Sequence, residues 1–212
     1  MLTRLLKALV TALIWVGIAY ALSPDFAVSL PFLIALSLMI VLNTYQPDFA
    51  SGDSGPAEDK RSAQLIVLSV TIPNLIFTIE AIYLRSPASL AYEPLELGFL
   101  AIAVLGLVAR MHAIHTLRKF FTWHVHIADD QKLIQSGLYR WFRHPSYFGA
   151  FFLFSFIPLT LNAYIAAACS ALLQFFAYRY RIQIEEVAMV ERFGSTYQDY
   201  QARAWAFLPG LR

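Results

Sequence analysis

Residues 145–178 read PSYFGAFFLFSFIPLTLNAYIAAACSALLQFFAY, 34 residues without a charge. A helix crosses the hydrocarbon core of a bilayer with ~20 predominantly apolar residues, within a range of ~17–25. The run is too long for one such helix and suits two short ones, with Pro158 and Leu161-Asn162-Ala163 as the turn between them. Other uncharged runs lie upstream: Ala8 to Pro24, Phe26 to Pro47, Ser62 to Ile79, and Leu97 to Ala109, which lengthens if Glu96 and Arg110 sit at the interfaces. The pattern predicts an all-α fold, a polytopic integral membrane helical bundle of about six transmembrane helices.

Composition agrees. Of 212 residues, 58% are apolar and 14% charged, against ~45–50% and ~25% in soluble domains. The surplus exceeds what one water-soluble core buries, so it faces lipid, which excludes a disordered, collagenous or ordinary cytosolic chain. A net charge of +2 is too balanced to argue for a nucleic-acid partner. Cys169 is the single cysteine and lies inside an apolar run, so neither a disulfide framework nor a thiolate metal cluster forms within one chain.

Cytoplasmic loops carry the Lys/Arg excess. With the N-terminus inside, 15 of the 16 basic residues fall on one side and only Arg85 on the other. That asymmetry predicts a multi-pass protein with both termini cytoplasmic, in the inner membrane of a bacterium or the endoplasmic reticulum of a eukaryote. The first 22 residues imitate a secretory signal, with Arg4, Lys7 and Ala19-Tyr20-Ala21. Another apolar span follows rather than a polar domain, so the reading is an uncleaved first helix.

Two regions differ in character. Residues 1–95 read as N-terminal transmembrane helices with one polar loop, Gln46 to Arg61; residues 96–212 interleave apolar spans with His, Arg, Glu, Tyr and Trp, where chemistry would reside. All five histidines, His112, His115, His124, His126 and His144, lie between 112 and 147, yet no acidic residue stands at a recognisable ligand spacing, so no metal is expected. Gly137 to Gly149 packs a glycine, aromatics, a basic pair and Pro145 at the mouth of the terminal hairpin. Pro145 suits the first turn of a helix, whose N–H groups and positive dipole end suit an anionic ligand group. Arg181 and Glu185, four apart, face one side of a helix, which by itself is also an ordinary exposed pair. Gly194 reads as a helix C-terminus, with Tyr197 and Tyr200 on a short amphipathic helix after it. Glu80 is a functional candidate as an intramembrane acid, although nearby Arg85 favours an interfacial role.

Taken in order, Leu133-Ile134-x-Ser136-Gly137-x-Tyr139, Arg143-His144-Pro145-Ser146-Tyr147-x-Gly149, Arg181-x-x-x-Glu185-Glu186, and Phe193-Gly194-x-x-Tyr197-x-x-Tyr200 with Pro209 resemble the isoprenylcysteine carboxyl methyltransferase family, over residues 112–212. The resemblance implies a membrane enzyme that moves a methyl group from S-adenosyl-L-methionine to the C-terminal carboxylate of a prenylated cysteine or similar lipid-linked carboxylate. It implies a cytoplasmic cofactor pocket formed by the C-terminal half, with the lipid tail entering from the bilayer. By motif, Gln131, Lys132, Leu133, Ile134, Tyr139, His144, Pro145, Ser146 and Tyr147 would line the cofactor pocket, with His126 a further candidate. Glu185 would also bind the cofactor, and Arg181 would hold the substrate carboxylate. The sequence has Gln131 where the family usually has His, and Leu138 where many members have Pro.

The chemistry fits those residue types. A C-terminal carboxylate, with a reference pKa of ~3.3–3.7, is ionised at pH 7 and needs no strong base. Alignment is the main demand, and it supplies ~7–11 kcal/mol in well-oriented reactions; an Arg fork orients a carboxylate. Three alternatives stay open. A phospholipid N-methyltransferase would need an acid at an ammonium acceptor, which Arg181 disfavours. An NADPH-dependent sterol-type reductase shares an Arg-His-x-x-Tyr segment but lacks the Glu185-Glu186 pattern. A non-catalytic membrane scaffold would keep the fold alone.

Overall fold

The structure, a computed structural model, describes residues 2–46, 57–84, 92–122, 130 and 132–212. The described residues are helical, without a strand: α1 (Leu2–Leu22), α2 (Pro24–Ala27), α3 (Leu30–Tyr45), α4 (Ala57–Ile79), α5 (Pro94–Leu117), α6 (Pro145–Phe156), α7 (Tyr164–Phe193) and α8 (Ser195–Arg203). Among the described residues, three stretches are long and apolar enough to cross a membrane, Leu2–Leu22, Asp59–Leu84 and Pro94–Phe120; Leu30–Tyr45 and Pro145–Leu161 are apolar but shorter. The uncharged stretch expected as a sixth span forms the first half of α7, which runs on past Tyr178 as one 30-residue helix carrying Arg181, Glu185 and Glu186.

The terminal hairpin turns where the sequence places it. A 3₁₀ turn spans Pro158–Leu161, and Asn162 takes the left-handed conformation that closes it (φ 58°), a geometry that Asn tolerates better than most residues. Gly194 likewise ends α7 at φ 56°. Glu80 is the correction. It opens a π-helical turn, Glu80–Leu84, after α4, is 1% exposed, and accepts the N–H groups of Ile165 (3.1 Å) and Ala166 (2.8 Å) at the start of α7. A carboxylate meeting the positive end of a helix explains its burial; Arg85, its expected interfacial companion, lies outside the described residues.

Elements from both regions share cores. Ala35 and Leu42 of α3 pack with Ala103 and Leu107 of α5 and Leu153 of α6, while Phe26, Phe32 and Phe77 join Ala163 and Ala166. The α5–α6 crossing is the tightest. A Cβ on Gly106 would lie 2.7 Å from the Gly149 carbonyl, and one on Gly149 would lie 2.5 Å from the Arg110 amide. Small residues let membrane helices approach to backbone contact. Here that approach sets Arg110 of α5 beside Ser146 of α6.

Candidate active site

At the polar end of the bundle the chain from Gly137 to His144 is pinned by its own C-terminus. Gly137 has a positive φ of 60° and begins a 3₁₀ turn, Gly137–Arg140. The amides of Arg143 and His144 then donate to the carbonyls of Trp205 (2.8 Å) and Ala206 (2.9 Å), and Trp205 N–H donates to Trp141 (3.0 Å). This strap fixes the two basic side chains before Pro145 starts α6. The Tyr147 and Phe148 amides bond the His144 carbonyl. Two of the first-turn N–H groups expected to meet an anion are thereby satisfied within the helix itself.

Opposite stands α7, whose spacing aligns Arg181, Glu185 and Glu186 toward the strap. His144 lies between the two glutamates, Nδ1 at 3.1 Å from Glu185 Oε2 and Nε2 at 3.1 Å from Glu186 Oε1. A ring with carboxylate oxygens on both nitrogens is satisfied when both carry hydrogen. Burial disfavours that charge, but Glu185 and Glu186 outweigh it, and the His144 pKa rises above its ordinary value. Burial likewise works against ionised Glu186, yet His144 and Arg143 push its pKa down to about 2. Glu185 is also lowered, with His144 and Arg181 overcoming its burial. Arg143 donates from Nε to Glu186 (2.6 Å) and from Nη1 to the Gln201 carbonyl (3.1 Å) and the Ala204 carbonyl. Gln201 adds a 2.9 Å bond to Glu186.

Arg181 is 2% exposed. Its Nε donates to Glu185 Oε1 (3.0 Å), and its Nη1 donates to Asp59 and to Ser62 Oγ (2.7 Å), both on α4. Glu185 Oε1 also accepts the Tyr147 hydroxyl at 2.5 Å. Arg143, His144 and Arg181 thus balance Asp59, Glu185 and Glu186. One further cation stands apart: buried Arg110 donates from Nη1 to Ser146 O (3.2 Å) and Oγ (2.9 Å) and from Nη2 to Gln46 (3.2 Å), with no carboxylate partner among the described residues. Its Nε has no hydrogen-bond partner among the described residues.

Arg110, Arg143, His144, Tyr147, Arg181 and Glu185 border one cavity of about 450 Å³. Lys132, Leu133, Ile134, Tyr139, His144, Ser146, Tyr147, Arg181 and Glu185 all line it, as does Arg110. Pro145 is buried between two lining residues as the first residue of α6. His126 and Gln131, with His124, lie outside the described residues. Away from the polar end the cavity continues between α1, α3 and α4 past Trp15, Leu36, Ile40, Val70 and Phe77.

Several site residues escaped the sequence reading. Asp59 falls inside the expected polar loop, Gln46 to Arg61, and Ser62 just after it, but α4 begins at Ala57 and carries both; in sequence a lone Asp next to Lys60-Arg61 reads as a solvated charge. Arg110 reads as an interfacial end of a span; the close α5–α6 approach at Gly106 and Gly149 sets it against Ser146, where it is buried. Tyr197 and Tyr200 are 1% and 3% exposed, so α8 docks inward rather than floating at an interface. The Tyr200 hydroxyl donates to the carbonyls of Tyr139 (2.5 Å) and Phe142 (3.2 Å).

Comparison with known proteins points one way. The chain is 30% identical over 143 residues to a human protein-S-isoprenylcysteine O-methyltransferase, covering 65% of this chain and 49% of that protein. It is 32% identical over 110 residues to one from Dictyostelium discoideum, covering 51% and 46%, and 34% identical over 118 residues to one from Tribolium castaneum, covering 52% and 40%. The chain therefore spans about half or less of the length of these relatives. Its fold matches the structure of a eukaryotic intramembrane Ras methyltransferase with a TM-score of 0.69 at 24% identity, over 96% of this chain and 77% of that one. With that fold in place, the resemblance in the sequence holds, since residues 99–191 match the isoprenylcysteine carboxyl methyltransferase (ICMT) family.

Proposed function

We propose that the protein is a membrane S-adenosyl-L-methionine-dependent carboxyl O-methyltransferase acting on the C-terminal carboxylate of a prenylated cysteine or a similar lipid-linked carboxylate. The observation that carries this reading is the joining, in one cavity, of a charge-balanced polar end, a buried arginine without a carboxylate partner among the described residues, and an apolar extension between α1, α3 and α4. The polar end suits a soluble charged donor, and the extension suits a lipid tail.

The donor set fits the cofactor. Glu185, paired here with His144, Tyr147 and Arg181, is an ionised acceptor for an amine or hydroxyl. Leu133, Ile134, Tyr139 and Tyr147 offer the apolar and aromatic wall that a nucleoside requires. When bound, S-adenosyl-L-methionine supplies an electrophilic methyl, whose bond to sulfur breaks as the acceptor carboxylate oxygen forms the ester bond, leaving a neutral thioether. The protein's own part is to place the acceptor. Arg181 holds the carboxylate from α7 and Arg110 meets it from α5. Because Arg181 already faces Asp59 and Glu185, Arg110 supplies the uncompensated positive charge that an anionic acceptor needs. The apolar walls around it strengthen that attraction over its value in water.

Residues 96–212 form the catalytic region in this reading. Residues 1–95 provide the lipid-facing wall and the α4 contacts to Arg181. Both termini and the polar end face the cytoplasm, where the basic residues gather. The test is calorimetric binding of S-adenosylhomocysteine to the detergent-purified protein, followed by methylation of a farnesyl-cysteine analogue. Binding and turnover are expected; absence of both, with clear binding of NADPH, overturns the proposal.

A further inference from the structure

The partners of Arg110 differ in kind from those of the other cations at the cavity. Arg143, His144 and Arg181 each face a carboxylate, at 2.6, 3.1 and 3.0 Å. Arg110 is 7% exposed, and its partners among the described residues are neutral oxygens: the Ser146 carbonyl and hydroxyl on Nη1 and the Gln46 side-chain oxygen on Nη2, at 3.2 Å. Its Nε has none among them. A buried cation without an opposite charge carries a free-energy cost, so the neutral amide at this place calls for a reason.

Gln46 stands where such a reason can act. It caps the C-terminus of α3, whose side of the cavity passes from Leu36, Met39 and Ile40 to Asn43 and Gln46. The apolar extension therefore meets the polar end at Gln46, where a lipid tail would give way to its carboxylate. The amide is held in one sense: Nε2 donates to Asn43 Oδ1 (2.9 Å), and Asn43 Nδ2 donates to the Met39 carbonyl (2.9 Å). A guanidinium only donates, and this chain of bonds turns the Gln46 oxygen toward it. Gln46 itself lies in extended backbone past the last helical turn (ψ 149°), so its side chain can withdraw without moving α3.

We propose that Gln46 is a neutral placeholder for the acceptor carboxylate on Arg110, and so a specificity-determining residue that makes the site selective for an anion. It yields to the ionised acceptor and returns when methylation has removed the charge. The inference rests on the proposed carboxylate-methylating function. A carboxylate outcompetes an amide oxygen for a guanidinium because both partners are then ionised and two oxygens match the fork. The methyl ester has neither advantage, so Gln46 regains Arg110 and favours release of the product. A carboxylate in place of this amide would satisfy Arg110 better and bar the acceptor from it.

The experiment uses the full chain in nanodiscs with two probes, N-acetyl-S-farnesylcysteine and its methyl ester. Calorimetry gives each dissociation constant, and methylation of the acid gives KM and kcat. The wild type is expected to bind the acid ~10-fold or more tightly than the ester, the range of a hydrogen-bonded charge. Gln46→Glu is expected to weaken acid binding and raise its KM by ~10-fold or more, with ester binding little changed and the melting temperature held or raised. Gln46→Leu removes the competitor and is expected to keep or enlarge the preference for the acid. The reverse pattern, with acid affinity kept in Gln46→Glu and lost in Gln46→Leu, would show that Gln46 only aims Arg110, and overturns the inference. Methylation of the acid with no effect of Gln46→Glu on the acid-to-ester ratio removes this inference and leaves the function standing. A ratio that depends on Gln46 without turnover in the wild type does the reverse.

Discussion

Arg181, on the last helical span, donates to Asp59, 122 residues earlier in the first turn of α4. The side chains are 2% and 1% exposed. This buried pair ties the N-terminal helices to the site. Removing one partner of a buried pair leaves an uncompensated charge and costs ~3–5 kcal/mol. Asp59→Ala should therefore lower thermal stability and release Arg181 toward Glu185. Turnover should fall by ~10-fold or more, the effect of ~1.4 kcal/mol in the barrier. Asp59→Asn keeps an oxygen for Nη1, and partial recovery of turnover in that variant separates positioning from simple destabilisation.

Arg110 and Arg181 are expected to respond differently. Arg110→Met removes the guanidinium that has no carboxylate partner among the described residues and keeps much of its volume. Hydrogen bonds to charged groups contribute ~1.5–3 kcal/mol, so KM for the acceptor should rise roughly 10- to 100-fold, with S-adenosylhomocysteine affinity nearly unchanged. Arg181→Ala should abolish methylation while largely sparing cofactor binding, and Glu185→Ala should weaken cofactor binding itself. Calorimetry with S-adenosylhomocysteine, beside initial-rate kinetics on a farnesyl-cysteine analogue, reads all three. Unchanged turnover in Arg181→Ala would remove its carboxylate role.

The spans, the hairpin turn and the Arg181–Glu185–His144 neighbourhood were legible because each rests on a local rule. A charge-free run of 34 residues has few uses, Pro158 and Asn162 mark a turn by their own backbone preferences, and residues four apart share a helix face. What could not be read depends on contacts distant in sequence. Nothing local distinguishes Asp59 from Asp25, or shows that Glu80 would cap α7 rather than meet Arg85. The second role of Glu186 is of this kind: it holds Arg143 and Gln201, and through them the C-terminal strap.

The position of His144 between Glu185 and Glu186 makes the pH dependence of stability a readout of that cluster. The folded-state pKa of His144 is raised, so its stabilising contribution is complete below its unfolded value of ~6.5 and is lost as pH rises through the folded value. Glu186 acts oppositely. Its folded pKa is about 2, so its contribution is complete above the unfolded value and is lost as pH falls from ~4.5 toward 2. Thermal stability in detergent should therefore decline on both sides of a plateau. His144→Gln should flatten the alkaline limb, and Glu186→Gln the acid limb. An alkaline limb identical in wild type and His144→Gln would show that another group titrates there.

The α5–α6 crossing gives a prediction that concerns geometry rather than charge. A methyl group on Gly149 would stand 2.5 Å from the Arg110 amide and the Gly106 carbonyl, both backbone atoms of a helix that cannot yield locally. Gly149→Ala must then push α6 away from α5, which draws Ser146 off the Arg110 guanidinium and widens the cavity mouth. Overpacking of this kind costs ~1–3 kcal/mol, so the protein should still fold, with a lower melting temperature. The acceptor KM should rise with it, because Arg110 loses the two Ser146 bonds that aim it. Gly98→Ala is the control: nothing lies within 4 Å of a Cβ there, and alanine favours the helix, so stability should hold or rise slightly. If Gly149→Ala lowers stability but leaves acceptor KM at the wild-type value, the crossing supports the fold without positioning Arg110.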